Sequence, residues 1–528
     1  MINKFEKIKL GLIFLILFIY FFLNIYQLNS QHWSSLMDHD FYILYNSLLI
    51  SSGLEQEGRD HPAFITFFLH SSIFNLIDLF QNSYLSDIDK ILSSSNINQT
   101  IQFYFNVSRI TNYFINFLLF VSFYYLLKNL EIKKEIIHFI LIIFLISSWY
   151  SLSFYYLRSE NLSLLFINLS LIFVLKKKNF YSNCFLAGIF FGIAMFTKIQ
   201  ILFFIMYIAF FIFISDKIYK ENIKKIFLNN KIVKYYFIFS FVLILISYFI
   251  FQIKIQEFPR FERNKYLDLL VFFSSFIVIF IFILIKFRLY PELKEKKLIQ
   301  FSSFFNGFGF LFVVFVLLDF LKILHINDFI YLRITNPLHY MSEFPAIFAE
   351  GSVNLNFIIQ IIYKISTSYS QNFFELLLIL LILFYSFKKT FNNQKSHIFY
   401  LLTLFLIFIL ITSINGIRGG HQYHIYYSFC YLIVIACCLN KLDFKISNIF
   451  LTFIIVIFIY NNSLIKQFND HNSKINIFER QNSLIEICKE FRYGIPSKRY
   501  DATINYIKYW HQKFDDKTIK SLCKELKL

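Results

Sequence analysis

Cysteine and proline are both scarce here, with six of each in 528 residues, and charged residues make up only 16% of the chain. No CxxC pair has a second pair to match it, so the common structural zinc frameworks are excluded. Cys184, Cys430, Cys437 and Cys438 lie within apolar runs and read as small apolar filler. Cys488 and Cys523 fall in the polar C-terminal tail, where an oxidising compartment would allow them to pair. Internal repeats and low-complexity linkers are missing as well. The first hydrophobic run leaves through Gln27-Leu28-Asn29-Ser30 without a small-residue cleavage site, so it reads as a retained signal anchor.

What fills the chain instead is apolar. Hydrophobic residues account for 57% of it and aromatics for 21%, and the mean hydropathy is +0.57. A soluble domain of this length has no use for so much apolar surface, whereas a chain that crosses a bilayer many times does. The abundance of Phe, Ile, Lys and Asn fits an AT-rich genome, so the phenylalanines do not by themselves mark a binding site.

The formal charge of +18 is distributed in a telling way. Lysines come in short clusters between hydrophobic runs: Lys4, Lys7 and Lys9; Lys133 and Lys134; Lys176 to Lys178; Lys224 and Lys225; Lys294, Lys296 and Lys297; Lys388 and Lys389. That is the positive-inside pattern of a polytopic protein rather than a nucleic-acid footprint. Runs long enough to cross lie at about 8–28, 106–127, 136–154, 160–175, 183–198, 199–215, 235–253, 267–286, 300–321, 372–387, 397–414, 425–440 and 447–461. The expected fold is therefore all-α and polytopic, with about thirteen transmembrane helices over residues 1–461 and a small polar domain at 462–528.

With the N-terminus inside, the loops at 29–105 and 322–371 face outward and every lysine cluster falls inside. The inner loops then carry about twice the Lys and Arg of the outer ones. All six prolines fall in loops under this scheme, as they should if the runs are helices. Residues 63–80 are apolar but carry His70 and Asp78, so they read as helix on or dipping into the membrane surface. For a bacterial chain this places the protein in the inner membrane, with the outer loops and the tail in the periplasm.

The loop after the first run concentrates ionisable groups: Asp38, His39, Asp40, Glu55, Glu57, Asp60 and His61. Met37-Asp38-His39-Asp40-Phe41-Tyr42, Gly53 and then Asp60-His61-Pro62-Ala63 resemble the first external loop of the GT-C glycosyltransferases. The similarity is to the branch of protein O-mannosyltransferases and lipid A aminoarabinose transferases. Ala187-Gly188-Ile189 through Gly192-Ile193-Ala194-Met195-Phe196-Thr197-Lys198 resembles that branch's glycine-patterned helix ending in lysine, and Arg158-Ser159-Glu160 fits it too.

The resemblance implies a transferase that moves a sugar from a polyprenyl-phosphate donor to a lipid, glycan or protein acceptor, with inversion. It implies Asp38 as general base, with Asp40 as second candidate, taking the proton of the attacking hydroxyl. Cationic groups at the outer helix ends would hold the donor phosphate: Lys198 and Arg158, with Arg418, His421 and His424 from a late loop. Glu160, Asp60 and His61 complete the candidates for substrate contact. The resemblance implies no certain cofactor; a divalent cation stays open, and no further zinc ligand is evident beside His421 and His424.

Simpler readings stand beside these. Asp60 and His61 could cap the next helix, Arg158 and Glu160 could pair with each other, and Lys198 could snorkel. Arg109 reads as an interface anchor, and the tyrosines near His424 as part of an interfacial belt. The rival functions are a transporter or flippase for a lipid-linked glycan and an O-antigen polymerase or ligase. The first would show internal repeats and broken helices; the second would rely on late-loop cations without Asp38.

Overall fold

The computed structural model describes residues 40–54, 63–80, 86–93, 97–147, 157–176, 180–198, 204–214, 294–320 and 424–441. It also describes isolated positions between Leu12 and Leu23, and Tyr150, Ser153, Phe154 and Ile201. Among the described residues the protein is all-α, with no strand. The helices are α1 (Asp40–Ser51), α2 (Phe64–Asp78), α3 (Ile88–Ser93), α4 (Ile97–Asn129) and α5 (Lys134–Ile146). They continue with α6 (Ser159–Leu175), α7 (Phe180–Thr197), α8 (Phe204–Ile214), α9 (Lys294–Phe320) and α10 (His424–Lys441).

Several expected runs correspond closely to α6, α7, α8, α9 and α10. Others differ for identifiable reasons. The run expected at 106–127 begins earlier, because the polar first turns of α4 are helical too. The run expected at 136–154 is interrupted at Ser147, which is extended (φ −63°, ψ 137°), and is helical again at Tyr150 and Ser153. Capping of α2 falls to Ala63, with no side-chain bond, so neither Asp60 nor His61 holds the N-cap position. The runs at 235–253, 267–286, 372–387, 397–414 and 447–461 lie outside the described residues. So do the loop at 322–371 and the tail at 462–528 with Cys488 and Cys523.

Among the described residues one helix, over Gln99–Asn129, is long and apolar enough to cross a membrane by length and composition (31 residues, hydropathy 1.5). Shorter apolar helices include those within α2, α6, α7, α9 and α10. Alongside its buried apolar residues, α4 encloses a row of polar ones and leaves one apolar face open. It buries Ser108, Arg109, Asn112, Asn116 and Ser122 while exposing Ile110, Phe114, Phe117, Leu118 and Tyr125. Phe68, Leu76, Leu79 and Phe80 of α2 and its C-terminal end are likewise exposed, Phe80 by 83%.

α6 is the central helix, packed between α4 and α7, and α7 packs in turn on α9. Contacts at the helix ends fix their directions. Asn440 of α10 accepts from Lys133 N (2.8 Å) and donates to the Glu131 carbonyl (3.2 Å), so α10 ends where α4 turns into α5. Glu131 adopts a positive φ of 57° in that turn. At the other end of the bundle, Tyr426 at the start of α10 meets Ser163 of α6 at 2.7 Å. Ser303 of α9 donates to the Tyr181 carbonyl at the start of α7 (2.6 Å), so α7 and α9 run parallel. The alternation gathers Lys133, Lys176 and the first turn of α9, with Lys294, Lys296 and Lys297, at one end. Arg158, Glu160, Lys198 and the start of α10 gather at the other.

Glycine decides the α7–α9 contact. A methyl group added at Gly188 would overlap the Phe304 carbonyl and lie 2.8 Å from Phe308 N, and one at Gly192 would meet Leu311 Cδ2 at 2.7 Å. At Gly307 it would overlap the Phe185 carbonyl. Small residues one turn apart let two backbones approach where side chains would hold them off. Gly188→Ala is expected to lower stability by about 2–3 kcal/mol through overpacking against backbone that cannot rotate away. Thermal unfolding of the purified variant measures this, and a midpoint equal to wild type would contradict it.

Candidate functional site

The chain between α5 and α6 turns back through the interior: Ser147, Tyr150, Phe154 and Leu157 are all buried. Tyr150 and Ser153 are helical and Phe154 lies in a turn; the last carbonyls of a helix lack intrahelical donors and must find others when water is absent. Here asparagines supply them. The Ser153 carbonyl accepts from Nδ2 of Asn112 (2.9 Å) and Asn116 (3.1 Å), both on α4, and from Asn161 Nδ2 on α6 (3.4 Å). Tyr150 Oη donates to the Asn116 carbonyl at 2.8 Å.

This segment delivers Arg158, Ser159 and Glu160 to the start of α6. Arg158 occupies the N-cap position in extended conformation. Glu160 sits in the first turn, where the helix dipole favours a carboxylate. Its Oε1 lies 3.0 Å from Lys198 Nζ, and both side chains are almost fully enclosed. Lys198 extends the last turn of α7, its N–H bonded to the Ala194 carbonyl (2.9 Å). It therefore does not snorkel, and the carboxylate's close partner is Lys198, although the Arg158 charge also acts on it. Glu160 Oε2 and Ser159 Oγ are buried and have no hydrogen-bond partner among the described residues.

The structure thus brings together three of the sequence-identified candidates: Lys198, Glu160 and Arg158. His424 opens α10 at the same end, two residues before the buried Tyr426. Asp40 opens α1, and the structure describes its backbone there. Asp38, Asp60, His61, Arg418 and His421 lie outside the described residues. Among the described residues no group of three or more His, Cys, Asp or Glu side chains is placed to hold a metal ion.

Two expectations change. Arg109 is not an interface anchor: it is buried, with its guanidinium 4.5 Å from the centre of the Phe105 ring. Tyr426 is not part of an interfacial belt but a buried, hydrogen-bonded link between α10 and α6. Sequence reasoning missed Asn112 and Asn116. Their signal was there, as polar residues at four-residue spacing (Ser108, Asn112, Asn116) along an otherwise apolar helix. Cys184 and Cys430 are buried in the bundle, in line with their reading as filler.

The segment after the first run is tied to the bundle by a separate network. Asp78, near the end of α2, accepts from Ser86 N (2.8 Å), Ser86 Oγ (2.6 Å) and Tyr104 Oη of α4. Ser51 at the end of α1 bonds to Asn75 and Ser86. The turn after α1 closes at Gly53, whose φ of +72° strains any residue with a side chain.

His70 of α2 is fully enclosed, and burial pulls its imidazole down from 6.5 to about 4. At neutral pH it is uncharged whether the chain is folded or not. As pH falls from 6.5 towards 4 the unfolded chain takes up a proton that the folded one refuses, so stability is lost across that window. The loss reaches about 3 kcal/mol at its acid end. Thermal midpoints of wild type and His70→Leu between pH 7 and pH 4 should diverge, with the wild type falling more steeply; parallel curves would contradict the assignment.

No protein family, no characterised protein and no solved structure matches the chain.

Proposed function

We propose that this protein is a multi-pass membrane glycosyltransferase of the GT-C type. It would take a sugar from a polyprenyl-phosphate donor and transfer it, with inversion, to a lipid, glycan or protein acceptor. The observation that carries the reading is the enclosed Glu160–Lys198 pair beside Arg158, at the end of the bundle opposite the lysine clusters. Ionisable groups held among apolar helices are costly and are kept where they act. Two cations and one carboxylate leave a net positive charge for a phosphodiester, and Arg and Lys are the side chains that stabilise charge on a departing phosphate.

Membrane residence is supported by burial. α4 holds Ser108, Arg109, Asn112, Asn116 and Ser122 inside among its buried apolar residues and leaves one face of large apolar side chains, Ile110, Phe114, Phe117, Leu118 and Tyr125, exposed, a surface suited to lipid or to a partner helix. Described positions of the first run, Leu12, Leu15, Ile16, Phe18, Ile19 and Leu23, are exposed as well. In the full reading about thirteen helices span a bacterial inner membrane, with the loop at 29–105 and the Glu160–Lys198 end facing the periplasm. Asp38 would act as the base with Asp40 in support. Asp60, His61, Arg418, His421 and His424 would line the donor and acceptor sites.

Radiolabelled sugar on polyprenyl phosphate, supplied to membranes containing the protein, tests this directly. Label moving to a lipid, glycan or protein acceptor is the expected result. Unmoved label together with altered sidedness of a lipid-linked glycan would replace the transferase with a flippase.

A further inference from the structure

The grip on Ser153 does more than satisfy one buried carbonyl. A carbonyl oxygen has two lone pairs, and a single donor removes most of the penalty of burying it. Here three asparagine amides from two helices converge on it. Asn116 is committed throughout. Its Nδ2 also bonds the Asn112 carbonyl (3.0 Å), its Oδ1 faces Ser153 Oγ (2.9 Å), and its carbonyl accepts Tyr150 Oη (2.8 Å). Asparagine is a poor choice inside a helix and a costly one in an apolar interior unless every polar atom is used.

The geometry shows what the arrangement holds. Asn161 reaches the Ser153 carbonyl from the residue directly after Glu160. Successive residues on a helix project about 100° apart, so the first turn of α6 is gripped on two sides. Asn161 joins the cluster with α4, while Glu160 meets Lys198 of α7. The amides therefore set the height and rotation at which the carboxylate leaves α6.

We propose that Asn112 and Asn116 are positioning residues that act through the Ser153 carbonyl to hold Glu160 against Lys198. The consequence for function rests on the transferase reading: the pair, and the donor phosphate beside it, depend on two α4 residues that need touch neither.

The test is a double-mutant cycle on thermal stability with the full-length protein in detergent, using Glu160→Leu and Lys198→Met. In the wild-type background the two changes are expected to be strongly non-additive, the double variant unfolding at a higher temperature than either single one. Introducing Asn116→Leu should cut that non-additivity by at least half. Asn112→Leu, which removes a single bond to the carbonyl, should weaken it as well and serves where Asn116→Leu does not fold. Ser153→Ala keeps the carbonyl and removes the Ser153 Oγ bond to Asn116 Oδ1, so it should weaken the cycle less than Asn116→Leu. A merely structural role for the asparagines would lower every midpoint equally and leave the non-additivity intact, which overturns the proposal. So would a loss of non-additivity in Ser153→Ala equal to that in Asn116→Leu.

Binding of undecaprenyl phosphate, followed by native mass spectrometry, separates this from the functional reading. About tenfold weaker binding in Asn116→Leu, with a smaller loss in Ser153→Ala, joins the two. Wild-type protein that keeps the non-additivity but binds no undecaprenyl phosphate upholds the positioning role and overturns the donor assignment.

Discussion

Asp38→Asn is expected to lower sugar transfer about 10²- to 10⁴-fold, the range a positioned general base contributes, while the protein remains inserted and abundant. The substitution keeps the shape of the side chain and removes its ability to take a proton from the acceptor hydroxyl. Donor binding should be nearly unchanged, because the proposed phosphate site is at Lys198 and Arg158. The loss should therefore appear in kcat with KM for the donor close to wild type. Label transfer in membranes, normalised to protein level, gives the comparison. Near-normal turnover by this variant would remove Asp38 as the base; the same change at Asp40 then tests the second candidate. An O-antigen polymerase or ligase, which would rely on late-loop cations, would tolerate both.

The second large effect concerns the ion pair. Lys198→Met leaves the Glu160 carboxylate enclosed without its close partner, and Glu160→Leu leaves the Lys198 ammonium in the same position. Both side chains are within a few per cent of full burial. Removing one member of such a pair costs about 3–5 kcal/mol, whereas replacing both with apolar residues of similar volume is close to neutral. Each single variant is thus expected to unfold well below wild type, and Glu160→Leu/Lys198→Met near it. Function should follow a different order. The double variant lacks the cation proposed to meet the donor phosphate, and its donor binding should weaken about tenfold to a hundredfold, as expected for a lost charge-assisted hydrogen bond. A stable double variant with wild-type transfer would reduce the pair to a purely structural contact. Single variants as stable as wild type would mean that water reaches the pair.

The helical character of the described residues and the positions of α6 to α10 were legible in the sequence, as long apolar runs separated by lysine clusters. So were the candidates Lys198, Arg158 and Glu160. The partner of Glu160 was not legible. Arg158 is nearer along the chain, but side chains two residues apart at the start of a helix do not face each other, and Lys198 reaches the carboxylate from α7. Arg109 also misled. A charge near the start of an apolar run commonly anchors at the membrane surface, yet α4 begins at Ile97, which carries Arg109 several turns into the helix. The glycines at 188 and 192 were visible as a motif; that they admit the backbone of α9 could be learned only from the contact with Phe304, Phe308 and Leu311.

Composition and periodicity alone determined that this protein is helical and rich in bilayer-length apolar runs, since both depend on residue type along the chain. Only the tertiary structure decided which polar residues meet. A helix presents each side chain in a direction set by its register, and whether that direction finds α4, α7 or α10 depends on how the helices cross. Asn112, Asn116, Ser153 and Glu160 are far apart in function-neutral sequence, and packing at the start of α6 makes them one arrangement.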